Sequence, residues 1–303
     1  MRGQLYPSGF ISKIAALAGI WVLSSIFFSV LGFVTLPFVF PNLGGDWFSL
    51  FANGIADTPP AVLRYVQVFS ATGMFVVPAV VFAYLVSFKN QDYLRIEKPI
   101  PLGIAILIVF LVVAMVPMVD WLTTAMRQIA FPESLQGFQN WLEEAEAANL
   151  KIISKMMAGQ SVVDLLSNLI VMAVIPAVGE ELLFRGVLQP LLTERFKNAT
   201  LAILLTSIIF AVLHQQFYNL AGLFYISVAL GYIRYWTDNL KLCMWAHFVN
   251  NAGFVLLAFF TGADPTEASS LPNQWIWVVL SLVGTIILMA LIRKGGKPRV
   301  NII

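Results

Sequence analysis

"LSNLIVMAVIPAVGEELLFRGVLQ", residues 166–189, is long and apolar enough to cross a membrane, yet it carries Glu180, Glu181 and Arg185. About 20 apolar residues span the hydrocarbon of a bilayer. The apolar character resumes at once in "LAILLTSIIFAVLH", residues 201–214. A charged side chain near mid-bilayer costs about 2.5–3.5 kcal/mol on insertion scales, so an intramembrane charge marks a functional site by default.

The surrounding chain has the same character. Of its 303 residues, 59% are hydrophobic and 11% charged, whereas soluble domains carry roughly 25% charged residues. So little charge cannot clothe a solvated surface, and the sequence predicts an all-α polytopic membrane protein. A net charge of +2 gives nucleic acid nothing to hold. The single cysteine, Cys243, excludes an internal disulfide. The opening "MRGQLYPSGFISKIAALAGIWVLSSIFF" resembles a signal peptide, but its apolar run continues through "SVLGFVTLPFVF" without a small-residue cleavage site. An uncleaved spanning helix is expected there.

About eight transmembrane helices are expected from the apolar segments at 11–38, 62–87, 100–119, 162–183, 199–216, 220–236, 241–260 and 274–292. No internal repeat or low-complexity linker divides them. With the N-terminus in the cytoplasm, the inner segments hold Arg2, Lys13, Lys89, Arg95, Lys98, Arg185, Arg195, Lys197, Arg234, Lys241, Arg293, Lys294, Lys297 and Arg299, 14 of the 18 basic residues. The outer segments keep Arg64, Arg127, Lys151 and Lys155. This bias predicts that both termini are cytoplasmic. The polar stretch 120–160 has helical periodicity. Phe138, Trp141, Leu142, Ala145, Ile152, Ile153 and Met156 fall along one broad side, with Glu143, Glu144 and Glu146 largely elsewhere. An amphipathic helix in the outer interface is expected, with a lid or substrate-guiding element as the alternative.

Glu181 and Arg185 stand at i and i+4, the acid first, which is the favourable order for a helical ion pair. Glu180 lies about 100° round the helix. Arg185 is therefore expected to neutralise Glu181 and leave Glu180 unpaired; the other reading is one neutralising cluster of all three. Pro176 removes a backbone donor opposite the Met172 carbonyl, and Gly179 permits close approach. A loosened helix of this kind suits a cavity wall, although an ordinary proline kink would read the same way.

The chain's two histidines, His214 and His247, both fall in predicted spans. Phe210 shares a helix face with His214, and Asn251 shares one with His247. Each histidine alone could be a helix–helix hydrogen-bonding group. Together with Glu180 they offer a base, two imidazoles and an amide donor, with Asn168 and Asn250 the only comparable amides in mid-span. That inventory suits hydrolysis.

"EELLFR", "FAVLH" and "HFVNN" fit Glu-Glu-x-x-x-Arg, Phe-x-x-x-His and His-x-x-x-Asn. In that order on successive membrane helices they resemble the CPBP family, the type II CAAX prenyl endopeptidases and their bacterial relatives. The match covers about residues 160–260, and the eight-span layout is also similar to that of the prenyl endopeptidases. The resemblance implies a catalytic core in helices four to seven, within 161–303, which also holds a C-terminal helix and basic tail. Residues 1–160 supply helices one to three and the interfacial segment. It further implies intramembrane peptide-bond hydrolysis by Glu180, His214, His247 and Asn251, with Glu181, Arg185 and Phe210 in support. The expected setting is a bacterial plasma membrane, with a CAAX-like or bacteriocin-like peptide or a membrane protein as substrate.

Two mechanisms fit these residues. In one, Glu180 and His214 activate water while His247 and Asn251 donate to the oxyanion. In the other, Glu180, His214 and His247 bind Zn²⁺. The zinc version spends Glu180 on the metal and leaves Glu181 as base, although Arg185 already claims it, and His-Glu-x-x-His is absent. The metal-free version is preferred and zinc stays the alternative. A simple ladder of spans places Glu180 and His247 toward the cytoplasm but His214 late in an outward-running helix. Either the fifth helix starts deep or "HQQFYNLAG" folds inward to line a wet cavity. Rival functions are a catalytically silent scaffold or immunity protein on the same fold, and a proton-coupled transporter.

Overall fold

The computed structural model describes residues 2–43, 58–88, 93–262 and 274–296. Lys89, Lys297 and Arg299, three of the basic residues assigned to the inner segments, lie outside them. Every apolar segment is a helix, as it must be where no water can satisfy the backbone. They are α1 (Phe10–Val39), α2 (Pro60–Val86), α3 (Leu102–Arg127), α5 (Val162–Phe196), α6 (Ala199–Leu213), α7 (Leu220–Thr237), α8 (Leu240–Thr261) and α9 (Gln274–Gly295). The amphipathic α4 (Gln136–Met157) lies between α3 and α5.

Six of these helices, α1, α2, α3, α5, α8 and α9, are long and apolar enough among the described residues to cross a membrane. This corrects the equal treatment of eight spans. α6 has 15 residues, about 22 Å at 1.5 Å per residue, against a hydrocarbon core of about 30 Å. α7 has 18 residues and carries Arg234, Tyr235 and Trp236 in its last turn. α5 errs the other way, running 35 residues to Phe196 instead of ending near 183.

Local signals fix the ends. Ser161 and Asp164 form a reciprocal capping box at the start of α5, satisfying two otherwise orphan amides. Asn198 and Asn239 cap α6 and α8 through their side-chain oxygens. α8 stops at Gly262, whose φ of 64° is the left-handed conformation that glycine adopts without strain.

Two apolar cores hold the bundle. Leu17 of α1 and Phe82 of α2 pack on Leu182, Leu183, Val187 and Leu191 of α5. Ile108 and Leu111 of α3 pack on Ile233 of α7, Leu242 of α8 and Ile292 of α9. α1 and α2 approach closely at Gly73, where Ser24 Oγ donates to the Gly73 carbonyl at 2.6 Å.

The helix ends sort onto two faces. On the basic face the N-terminal segment pairs with the end of α2, Leu5 N donating to Leu85 O at 2.8 Å. On the same face Lys13 bonds Glu194 at 3.0 Å, and Lys98 reaches Asp238 at 3.0 Å. On the opposite face Arg64 donates to Met156 O at 2.8 Å and to Ala158 O at 2.9 Å, and pairs with Asp164 at 2.8 Å. This ties α4 to the starts of α2 and α5. α4 corrects the expected placement of Glu146 alone, since Glu143 and Glu144 are exposed. Glu146 is buried and accepts from Tyr218 N at 3.0 Å, and Glu143 accepts from Tyr218 Oη at 2.8 Å. The turn after α6 has backbone amides that need acceptors, and α4 supplies one.

Candidate active site

α5 is α-helical over Ile175–Glu181 between two π turns, Leu169–Val174 and Leu182–Leu188. Each π turn inserts a residue and rotates the next stretch of helix, a device frequent at functional sites. Pro176 opens the central α segment, where a missing N–H is tolerated. The Met172 carbonyl, whose ordinary helical donor Pro176 lacks, accepts the side-chain amide of Asn251 at 3.0 Å.

Glu180 and Glu181 then diverge. Glu181 is fully buried, and its Oε1 accepts from Arg185 at 2.9 Å and faces His247 Nδ1 at 3.0 Å. Arg185 spends further donors on Ser227 Oγ at 2.7 Å and Ser227 O at 3.2 Å. Glu180 Oε2 faces His214 Nε2 at 3.6 Å and His247 Nε2 at 3.9 Å. That oxygen is shielded and has no hydrogen-bond partner among the described residues.

Both imidazoles are held from behind. His214 Nδ1 lies 2.7 Å from the Phe210 carbonyl, and His247 Nδ1 lies against Glu181. Both neighbours are acceptors, so both Nδ1 atoms carry protons. In a neutral ring Nε2 is then an acceptor directed at Glu180. The Phe210 ring fills the space between, 4.4 Å from the His214 ring and 6.2 Å from that of His247, with the Arg185 guanidinium 4.6 Å above it.

A cavity of about 300 Å³ opens before this group, its wall including Glu180, Phe210, His214, His247, Asn250 and Asn251. Gln67, Gln216 and Asn219 add amides, and Leu223, Ile226 and Leu230 add apolar surface. The cavity reaches Glu180 but not Glu181 or Arg185. Of the two residues expected to loosen this helix, Pro176 lines the cavity, and Gly179 serves the close approach of α2. A Cβ there would lie 3.0 Å from Phe75 Cβ. Asn168 is buried but stands outside the cavity wall.

His214 caps the C-terminus of α6 instead of lying within it. Gln215 takes a left-handed φ of 53°, and the chain turns through Asn219 into α7. The short fifth helix therefore ends level with Glu180, and the polar turn after it lines the cavity. Ser227 and Gln67 escaped the sequence reading. Arg185 offered one clue, because five guanidinium donors exceed what Glu181 alone can accept.

Glu180, His214 and His247 are of the residue types that zinc takes, each imidazole buttressed at its second nitrogen, but among the described residues no three His, Cys, Asp or Glu side chains are grouped closely enough to hold a metal ion. Ligands around tetrahedral zinc at about 2.0–2.1 Å stand roughly 3.4 Å apart, and the separations of 3.6 and 3.9 Å are slightly wider.

Residues 162–253 match the family model described as type II CAAX prenyl endopeptidase Rce1-like. The chain is also similar to the uncharacterized protein YpbD of Bacillus subtilis (strain 168), 32% identical over 124 residues. That alignment covers 40% of this chain and 57% of the relative, so the match spans little more than half of its length. No solved structure matches the chain.

Proposed function

We propose that this chain, a multi-pass membrane protein whose residues 162–253 belong to the type II CAAX prenyl endopeptidase-like family, hydrolyses a peptide bond of a polypeptide presented in the membrane. The reading is carried by the convergence of two buttressed imidazole Nε2 atoms on the unpartnered Glu180 Oε2 at the cavity wall. Acceptors so arranged suit a water that donates one hydrogen bond to Glu180 and the other to His214.

The water's free lone pair then attacks the scissile carbonyl, its proton passing to Glu180 as the carbonyl π pair moves onto oxygen. His247 gives Nδ1–H to Glu181, so it donates to the oxyanion only when Nε2 also carries a proton. In that state Glu180, Glu181, Arg185 and His247 sum to zero charge, which buried ionic groups require. Asn251 has a second N–H beyond the one given to Met172 O, and this is the other oxyanion donor. Collapse of the adduct breaks the C–N bond, and the proton on Glu180 passes to the leaving amine.

Zinc held by Glu180, His214 and His247 would supply Lewis-acid activation of the same water. It would also leave that water without a base, since Glu181 is committed to Arg185 and His247 behind the wall. The proposed reaction therefore runs without metal. The test is cleavage of a membrane-peptide library by purified protein, with and without strong chelator. Defined products under both conditions are expected. No product from any peptide contradicts the hydrolytic reading, and loss to chelator restored by zinc contradicts the metal-free part.

A further inference from the structure

The cavity is closed toward the basic face and lined toward the other. On the basic side of Glu180, α5 and α7 are tied by Arg185 to Ser227 at 2.7 Å and by Gln189 to the Gly231 carbonyl at 3.1 Å. Beyond these, Arg234 and Lys98 both hold Asp238, at 2.6 and 3.0 Å. Leu182, Leu183, Phe184 and Val187 are buried between them, and none of these residues belongs to the cavity wall. On the opposite side the wall is made by Ile153 and Met156 of α4 and by Gln216 and Asn219 of the turn after α6. These two walls are fastened together through Glu143, Glu146 and Tyr218.

Charge assigns the faces. Among the described residues Lys13, Lys98, Lys197, Arg234, Arg293 and Lys294 stand at the closed face, and Arg64, Arg127, Lys151 and Lys155 at the other. An excess of Lys and Arg marks the cytoplasmic side. We infer that the substrate reaches Glu180 from the extracytoplasmic face, past α4, and is an exported or membrane-inserted polypeptide instead of a C-terminus offered from the cytosol. This rests on the hydrolytic reading for the nature of its substrate, but the route itself is a property of the fold.

The sole native thiol, Cys243, is fully buried, so wild-type protein gives little background with aqueous thiol reagents. Gln216→Cys at the rim and Gln67→Cys in the wall, with Lys197→Cys on the basic face, are exposed to a membrane-impermeant maleimide in right-side-out and inside-out vesicles. The first two should label from the outside and Lys197→Cys only from the inside. Labelling of Gln67→Cys or Gln216→Cys only on the side that labels Lys197→Cys overturns the inference, as does failure of both to label in folded protein. No cleavage is read in this assay. Outward labelling with no peptide ever cleaved would keep the route and remove the hydrolytic reading.

Discussion

Asn251 donates its side-chain amide to the Met172 carbonyl, 3.0 Å away, the acceptor whose ordinary helical donor Pro176 cannot supply. Asn250 in turn donates to Asn251 Oδ1 at 3.1 Å. The proline in α5 and the candidate oxyanion donor are thus one construction, because the carbonyl opposite the missing N–H holds the amide that lines the cavity. Asn251→Ala should lower kcat by about 10²–10³-fold, the usual cost of one oxyanion donor, and stability by only about 1 kcal/mol for a lost hydrogen bond. Asn251→Asp should be no more active and less stable, since it sets a carboxylate against a carbonyl. Turnover and thermal unfolding in detergent report both; an active Asn251→Asp protein removes the residue from the oxyanion site.

Glu180 and Glu181 should separate cleanly. Removing one partner of a fully buried ion pair costs about 3–5 kcal/mol, so Glu181→Ala should unfold far below wild type. Glu180→Ala removes a carboxylate at the cavity wall that faces the imidazoles only at 3.6 and 3.9 Å, and should lose turnover with a much smaller fall in melting temperature. Equal destabilisation of the two proteins would contradict the division of roles.

Ser227→Ala leaves Arg185 short of an acceptor within the core. A loss of about 1–3 kcal/mol is expected, the cost of a buried donor left unsatisfied. Ser227→Thr keeps the hydroxyl and should lose less. Thermal scans of the two variants test whether the hydroxyl or its volume matters.

At the basic face, burial alone would raise the Asp238 carboxyl, but Arg234 and Lys98 outweigh it and hold the pKa at about 2. A folded pKa below the ordinary value of 3.8 contributes stability above that value. This stability is lost as pH falls from near 4 through about 2. Asp238→Asn should therefore lower stability at neutral pH and flatten this acid limb. An unchanged limb would show that the cluster contributes nothing.

The helical class and the Glu181–Arg185 pair were legible because both depend on short-range periodicity. The spacing i, i+4 on one helix fixes a contact without knowledge of the fold. The end of α6 was not legible, since "FAVLH" continues the apolar run before it and holds no glycine or proline to mark a stop. Ser227 and Glu146 were hidden for a related reason. Their partners, Arg185 and Tyr218, lie 42 and 72 residues away, and no local pattern encodes such pairs. Gly179 read as a loosened wall because close approach to a ligand and to a neighbouring helix ask for the same residue.

In the proposed reaction Glu180 activates a water for peptide-bond hydrolysis. The decisive measurement reconstitutes wild type and Glu180→Gln at equal folded amounts with a cleavable membrane peptide in heavy-oxygen water. Wild type should release a new C-terminus carrying one heavy oxygen from solvent, and Glu180→Gln should release none. Cleavage by Glu180→Gln at the wild-type rate, or a product without the solvent oxygen, would contradict it.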